Sequence, residues 1–121
     1  MSFTHNPNLQ LHVSALLQAV GIAPHTIGCH YLRDALLYTY ENKSALFAVT
    51  KDLYPEIAKR NFTTTACIEH SIRHAIANAY QRQQTPLSTI FFARGKPTNS
   101  EFIAILTEYL HTANHPLCMG Q

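Results

Sequence analysis

Residues 55 to 82 read Pro-Glu-Ile-Ala-Lys-Arg-Asn-Phe-Thr-Thr-Thr-Ala-Cys-Ile-Glu-His-Ser-Ile-Arg-His-Ala-Ile-Ala-Asn-Ala-Tyr-Gln-Arg, a short helix, a tight turn and a long helix. In the long half, Ile68, Ile72, Ala75, Ile76 and Ala79 recur at steps of three and four. That spacing makes one apolar stripe of an α-helix, which must face a core. The opposite face carries Cys67, His70, Arg73, His74 and Ala77, with Glu69 on its flank, so it is small or basic. Thr63, Thr64 and Thr65 offer hydroxyls to the free amides of the first turn, and Thr64 is the expected N-cap, worth about 1 kcal/mol.

The short half starts at Pro55, which suits the first helical position because its missing amide proton would go unbonded there. Ile57 and Ala58 face inward, while Glu56, Lys59 and Arg60 stay wet. A small residue at 58 lets the second helix cross closely, as a helix-turn-helix requires. The turn lacks a glycine, so Asn61 is expected to take the positive φ, being the non-glycine residue that tolerates it best.

Charge is concentrated around the same stretch. The 121-residue chain has a formal net charge of only +2. Arg33 and Lys43 are balanced by Asp34 and Glu41 in the first part, and Arg94 and Lys96 by Glu101 and Glu108 in the last. From 59 to 96, however, Lys59, Arg60, Arg73, Arg82, Arg94 and Lys96 face a single acid, Glu69. This is the footprint expected of a surface that meets phosphates, and the bland alternative is a solvated helix face.

Composition describes one globular domain, 46% apolar and 13% charged, large enough to bury about two-thirds of its unfolded surface. Cys29, Cys67 and Cys118 are odd in number and lack paired spacing, which fits a reducing cytoplasm better than a disulfide framework or zinc knuckle. No signal peptide is recognisable, and no run approaches the length of a membrane span. The sequons at Asn42 and Asn61 are read as chance.

Outward from the centre, residues 1–8 are expected to be a flexible tail. Asn8 is placed to cap a first helix with the apolar face Leu9, Val13, Leu16, Leu17 and Val20, which Gly21 ends in the left-handed conformation. After a loop at 22–28, a second helix over 30–41 buries Leu32, Ala35, Leu36 and Thr39, with Tyr31, Tyr38 and Tyr40 at the core edge. Ser44 is expected to cap a short helical segment over 45–53, ending before the pre-proline residue Tyr54. Beyond Arg82, residues 83–86 break the long helix, residues 87–92 make one or two turns, and 93–97 form a basic loop. Thr98 and Glu101 have capping-box spacing and open a last helix with Phe102, Ile103, Leu106 and Leu110 inward. The fold class is all-α, about six helices containing a helix-turn-helix over 9–111, with a frayed tail at 112–121.

Four blocks carry a resemblance to a known family: Gly-Ile-Ala-Pro-His-Thr-Ile-Gly-Cys-His-Tyr-Leu-Arg-Asp-Ala at 21–35, Thr-Lys-Asp-Leu-Tyr-Pro-Glu-Ile-Ala-Lys at 50–59, Ile-Arg-His-Ala-Ile at 72–76 and Lys-Pro-Thr-Asn-Ser-Glu-Phe-Ile-Ala at 96–104. In this order they closely resemble the C-terminal DNA-binding effector domain of the sporulation master response regulator of endospore-forming bacteria. The resemblance covers residues 9 to 110. It implies a helical domain whose helix-turn-helix binds the major groove of double-stranded DNA at a TGTCGAA-like box. It also implies copies set in tandem on the DNA, as a homodimer would be, and contact with the RNA polymerase sigma factor.

Three departures accompany the likeness. The family pattern carries arginine at the positions of Cys67 and His70, while Glu69, Arg73 and His74 are kept. An arginine binds guanine O6 and N7 with two hydrogen bonds, worth about 1–3 kcal/mol of discrimination, which Cys67 cannot supply and His70 supplies only weakly. Weaker binding or a changed box is therefore expected. The segment between Tyr80 and Lys96 is shorter than in the family, near the implied sigma-factor contact. A receiver domain precedes the family's effector domain, whereas here Met1 leads almost directly into the first helix, as in a stand-alone relative or an excised domain.

The expected function is a sequence-specific DNA-binding transcription regulator, cytoplasmic, without a receiver domain in this chain and with no cofactor. Thr65, Ala66, Cys67, Glu69, His70 and Arg73 are expected nearest the bases, with Thr64 and His74 beside them. Lys59, Arg60 and Lys96 are assigned to phosphates, which set register without reading sequence. For Arg73 the bland reading is an i,i+4 pair with Glu69. His70, His74 and Glu69 fall short of a zinc site, since no third ligand has compatible spacing. No nucleophile motif, phosphate loop or carboxylate pair argues for an enzyme. The competing class is a helical interaction module, an antagonist that keeps the fold but has lost operator binding.

Overall fold

A computed structural model describes residues 7–114. Among them are six α-helices and no strand: α1 (Pro7–Ala19), α2 (Ile27–Glu41), α3 (Tyr54–Arg60), α4 (Thr65–Arg82), α5 (Pro86–Phe91) and α6 (Asn99–Asn114). The expected tails at 1–8 and 112–121 fall largely outside the described residues, while α1 begins at Pro7 and α6 continues to Asn114.

The inner stripe of α4 is where the core sits. Ile68, Ile72, Ala75, Ile76 and Ala79 are all buried, as their spacing predicts. They pack chiefly on α2, whose Leu32, Ala35 and Leu36 have no exposed surface. α1 and α6 cover the other side of α2 through Leu9, Val13 and Leu17, and through Phe102, Ile103, Leu106 and Leu110. Inside this apolar layer, the Thr39 hydroxyl donates to the Ala35 carbonyl and takes a 2.7 Å bond from Thr107. With its own hydrogen spent on Ala35, Thr39 is the acceptor of that bond, and α2 is thereby registered on α6.

The helix-turn-helix forms as expected, with Ile57 and Ala58 buried beneath α4. Its turn differs from expectation. Asn61 has φ −109, and Phe62 takes the left-handed conformation at φ 54. The Phe62 and Thr63 amides donate to the Lys59 and Ala58 carbonyls at 3.4 and 3.0 Å, the paired bonds of a Schellman cap. That pattern places the left-handed residue one position past the C-cap. Asn61 is the C-cap, and its side-chain amide is engaged by Asp34 and by the Ile57 carbonyl.

Four boundaries also move. Asn8 lies within α1 instead of capping it. α2 starts at Ile27, not near His30, because the Thr26 hydroxyl accepts from the Cys29 amide at 3.2 Å, which puts Gly28 inside the helix. The single segment expected over 45–53 is a 3-10 helix (Lys43–Phe47) followed by a π-helical turn (Val49–Leu53), and Ser44 makes no cap there. Tyr54 precedes a proline yet is helical, at φ −61 and ψ −44, because the π turn feeds straight into α3 and the 4% exposed ring belongs to the core.

Candidate nucleic-acid interface

Thr64 caps α4 as expected: its backbone is extended and its hydroxyl accepts from the Cys67 amide at 3.1 Å. From that start the buried stripe forces the remaining positions outward. Thr64, Thr65, Ala66, His70, Arg73 and His74 are exposed, and Cys67 and Glu69 are half-buried at the edges of the face. No large apolar side chain interrupts it.

The outer face is held by short-range contacts along the helix. Arg73 donates to the Glu69 carboxylate at 2.6 Å and stands 3.3 Å from His70 Nδ1, and the rings of His70 and His74 lie 5.5 Å apart. The Glu69–Arg73 pair anticipated as the bland reading is therefore present. Its side chains are 37% and 54% exposed, and an ion pair in that setting is worth about 0.2–1 kcal/mol. Such a bond does not tie the guanidinium down against a competing phosphate or base. Hydrogen bonds from Thr63 and Ser71 hold the Cys67 thiol below its ordinary pKa.

The distant candidates are placed differently from one another. Lys96 lies beside α4: with Arg73 and Glu69 it lines one cleft, and with His74, Asn78 and Gln81 a second. Lys59 and Arg60 are exposed in the last turn of α3, where Arg60 pairs with Glu56 at 2.7 Å and sits 6.0 Å from the Tyr38 ring.

Two neighbours of the face were not anticipated from sequence. At Gly28 a Cβ would fall 2.4 Å from the Ser71 carbonyl oxygen and 2.7 Å from the Ala75 Cβ, so α2 crosses α4 as closely as a glycine permits. This crossing puts Thr26 and Ile27 in a groove shared with His70 and His74. On the other flank Asn99 donates to the Glu69 carbonyl at 3.0 Å. Gly28 reads from sequence as the end of a loop, so the first carried no signal of a close crossing, and the second pairs residues 30 apart.

As expected, Thr98 and Glu101 satisfy each other's amides, at 2.9 and 3.1 Å, so the end of the basic loop is fixed where it meets α4. Among the described residues no helix is long and apolar enough to cross a membrane. The arrangement is thus a rigid helix with a polar, cation-bearing outer face and a lysine loop at its side, a shape suited to a groove lined with phosphates. The family model described as "Sporulation initiation factor Spo0A C terminal" matches residues 13–110. The chain belongs to this family of helical, DNA-binding domains of sporulation transcription regulation, which is not an enzyme family.

Proposed function

We propose that this member of the Spo0A C-terminal family is a sequence-specific regulator that docks the N-terminal half of α4 in the major groove of double-stranded DNA. The observation that carries the reading is the outer face of α4. It is exposed, free of large apolar groups, and flanked by Lys96, while the inner face is wholly buried. Thr65, Ala66, Cys67, Glu69, His70 and Arg73 meet base edges, with Thr64 and His74 beside them. Lys59, Arg60 and Lys96 neutralise phosphates. The unit that does this is a single domain over 9–111, acting in the cytoplasm, where its copies sit in tandem on DNA and touch the polymerase sigma factor.

A second reading is favoured by one specific observation. Cys67 and His70 stand where the family pattern carries arginines able to read guanine. A helical interaction module that antagonises its relatives would have this surface.

Fluorescence anisotropy separates the two. The chain is titrated with a duplex holding two tandem TGTCGAA-type boxes and with a scrambled duplex, at two salt concentrations. The DNA reading expects tighter binding to the boxes, weakening linearly in log[salt] with a slope set by the phosphates neutralised. Arg73→Ala is expected to lose about 1–3 kcal/mol on the box with little change in unfolding temperature. Equal weak binding to both duplexes, unaltered by Arg73→Ala, would favour the interaction module.

A further inference from the structure

Asn99 is the first residue of α6, and its side chain is 8% exposed. Its Nδ2 donates at 3.0 Å to the Tyr54 hydroxyl and at 3.0 Å to the main-chain oxygen of Glu69. Tyr54 is the first residue of α3 and is itself buried. One carboxamide thus joins the opening residue of α6 to the opening residue of α3 and to the second turn of α4. The match is chemical as well as spatial, since an amide nitrogen has two hydrogens and meets two acceptors here. A carboxylate at this position would set an oxygen against the Glu69 carbonyl. An alkyl group would leave the buried Tyr54 hydroxyl without this donor.

The bond acts at a particular level of α4. Glu69 is one turn before Arg73, and the cleft beside the bond is lined by Arg73, Lys96, Thr98 and Ser100. Lys96 precedes Asn99 by three residues, and the Thr98–Glu101 cap makes the connection between them stiff. Across the helix at the same level, Gly28 lets α2 press against Ser71 and Ala75. Apolar contact is non-directional, so the packed stripe by itself resists a small roll of α4 over α2 less sharply than a directed bond does. A directed hydrogen bond to the Glu69 carbonyl stops that roll.

We infer that Asn99 is a positioning residue for DNA recognition, setting the rotation of α4 and the distance between Arg73 and Lys96 through its paired bonds to Glu69 and Tyr54. The inference rests on the DNA reading for its consequence, though not for its geometry. A misplacement of a recognition group by about 1 Å is enough to cost an order of magnitude or more in a positioned interaction.

The test compares Asn99→Ala, Asn99→Asp and Tyr54→Phe with the parent chain by three readouts: thermal unfolding, backbone amide NMR with hydrogen exchange on the free chain, and anisotropy on the box and scrambled duplexes. Asn99→Ala and Asn99→Asp are expected to move the amide signals of residues 69 to 73, speed their exchange, and cut the preference for the box about tenfold or more. Binding to the scrambled duplex and its salt slope are expected to stay at the parent values. Tyr54→Phe keeps the Glu69 bond and retains most of the preference. The assignment is overturned if the α4 signals of both Asn99 variants match the parent, or if affinity for both duplexes falls equally alongside the unfolding temperature. A parent chain with no box preference refutes the DNA reading, and the NMR arm then decides positioning alone. If alanine prevents folding, Asn99→Ser, whose hydroxyl is too short to span both acceptors, supports the same comparison.

Discussion

Two helices in this chain end in the same way with opposite residues. After α1, Gly21 at φ 99 donates to the Gln18 carbonyl and Ile22 to Leu17, at 3.0 and 2.9 Å. After α3, Phe62 at φ 54 donates to Lys59 and Thr63 to Ala58. Both are Schellman caps, yet one uses the residue that takes positive φ most freely and the other a bulky aromatic that is 97% exposed. The difference lies in what surrounds each turn. Gly21 packs near Ser88 and Ala79, with a φ that side chains rarely adopt, so glycine is required. At Phe62 the conformation is imposed from outside, because α3 and α4 are clamped to the core and Asn61 is held in place. The Asn61 side chain bonds Asp34 at 3.0 Å, the Ile57 carbonyl at 2.9 Å and His30 at 3.0 Å, which pins the turn to α2.

The comparison breaks most sharply at the glycine. Gly21→Ala is expected to destabilise by about 1–3 kcal/mol, since the backbone conformation is unfavourable and the new Cβ sits 3.3 Å from that of Ser88. Chemical denaturation checks this, and an unchanged midpoint would mean that α1 ends differently. Next comes Asn61→Ala, expected to lose about 1–3 kcal/mol because the Asp34 carboxylate, only 18% exposed, would lose a donor. Were Asn61 merely a turn residue, the same substitution would be close to neutral. Phe62→Gly should go the other way, raising stability by about 1 kcal/mol by relieving the left-handed strain. Its affinity for the box duplex should stay at the parent value, and a loss there would make the exposed ring a DNA contact. The smallest effect is expected at Gln83, which ends α4 at φ 39. Gln83→Gly should stabilise by roughly 0.5–1 kcal/mol in the same denaturation assay.

These turns also show how far the sequence could be read. The inner stripe of α4, the Thr64 cap, the Thr98–Glu101 box and the left-handed Gly21 were all legible, because each depends on residues within about one helical turn of one another. The same locality explains the errors. Asn61 is the better left-handed residue by intrinsic preference, and Phe62 took the role because of bonds reaching α2, 27 residues earlier. Tyr54 was expected to stop a helix as a pre-proline residue, and burial of its ring with a bond from Asn99 overrode that local bias.

The candidate site divides along the same line. That α4 would present Cys67, His70, Arg73 and His74 outward followed from the 3.6-residue period, for a helix with one buried stripe must expose its complement. The clustering of basic residues was likewise a matter of composition. Which of them stand together was not: Lys96 reaches the side of α4, whereas Arg60 is engaged with Glu56 on α3.

The helix faces, the Thr64 and Thr98–Glu101 caps, the left-handed Gly21 and the family resemblance were therefore determined by the sequence itself, since they arise from neighbours along the chain. The tertiary structure alone decided the close crossing at Gly28, the tie from Asn99 to Glu69 and the strained turn at Phe62. Each of these is set by atoms far apart in sequence, whose meeting depends on how the whole core packs.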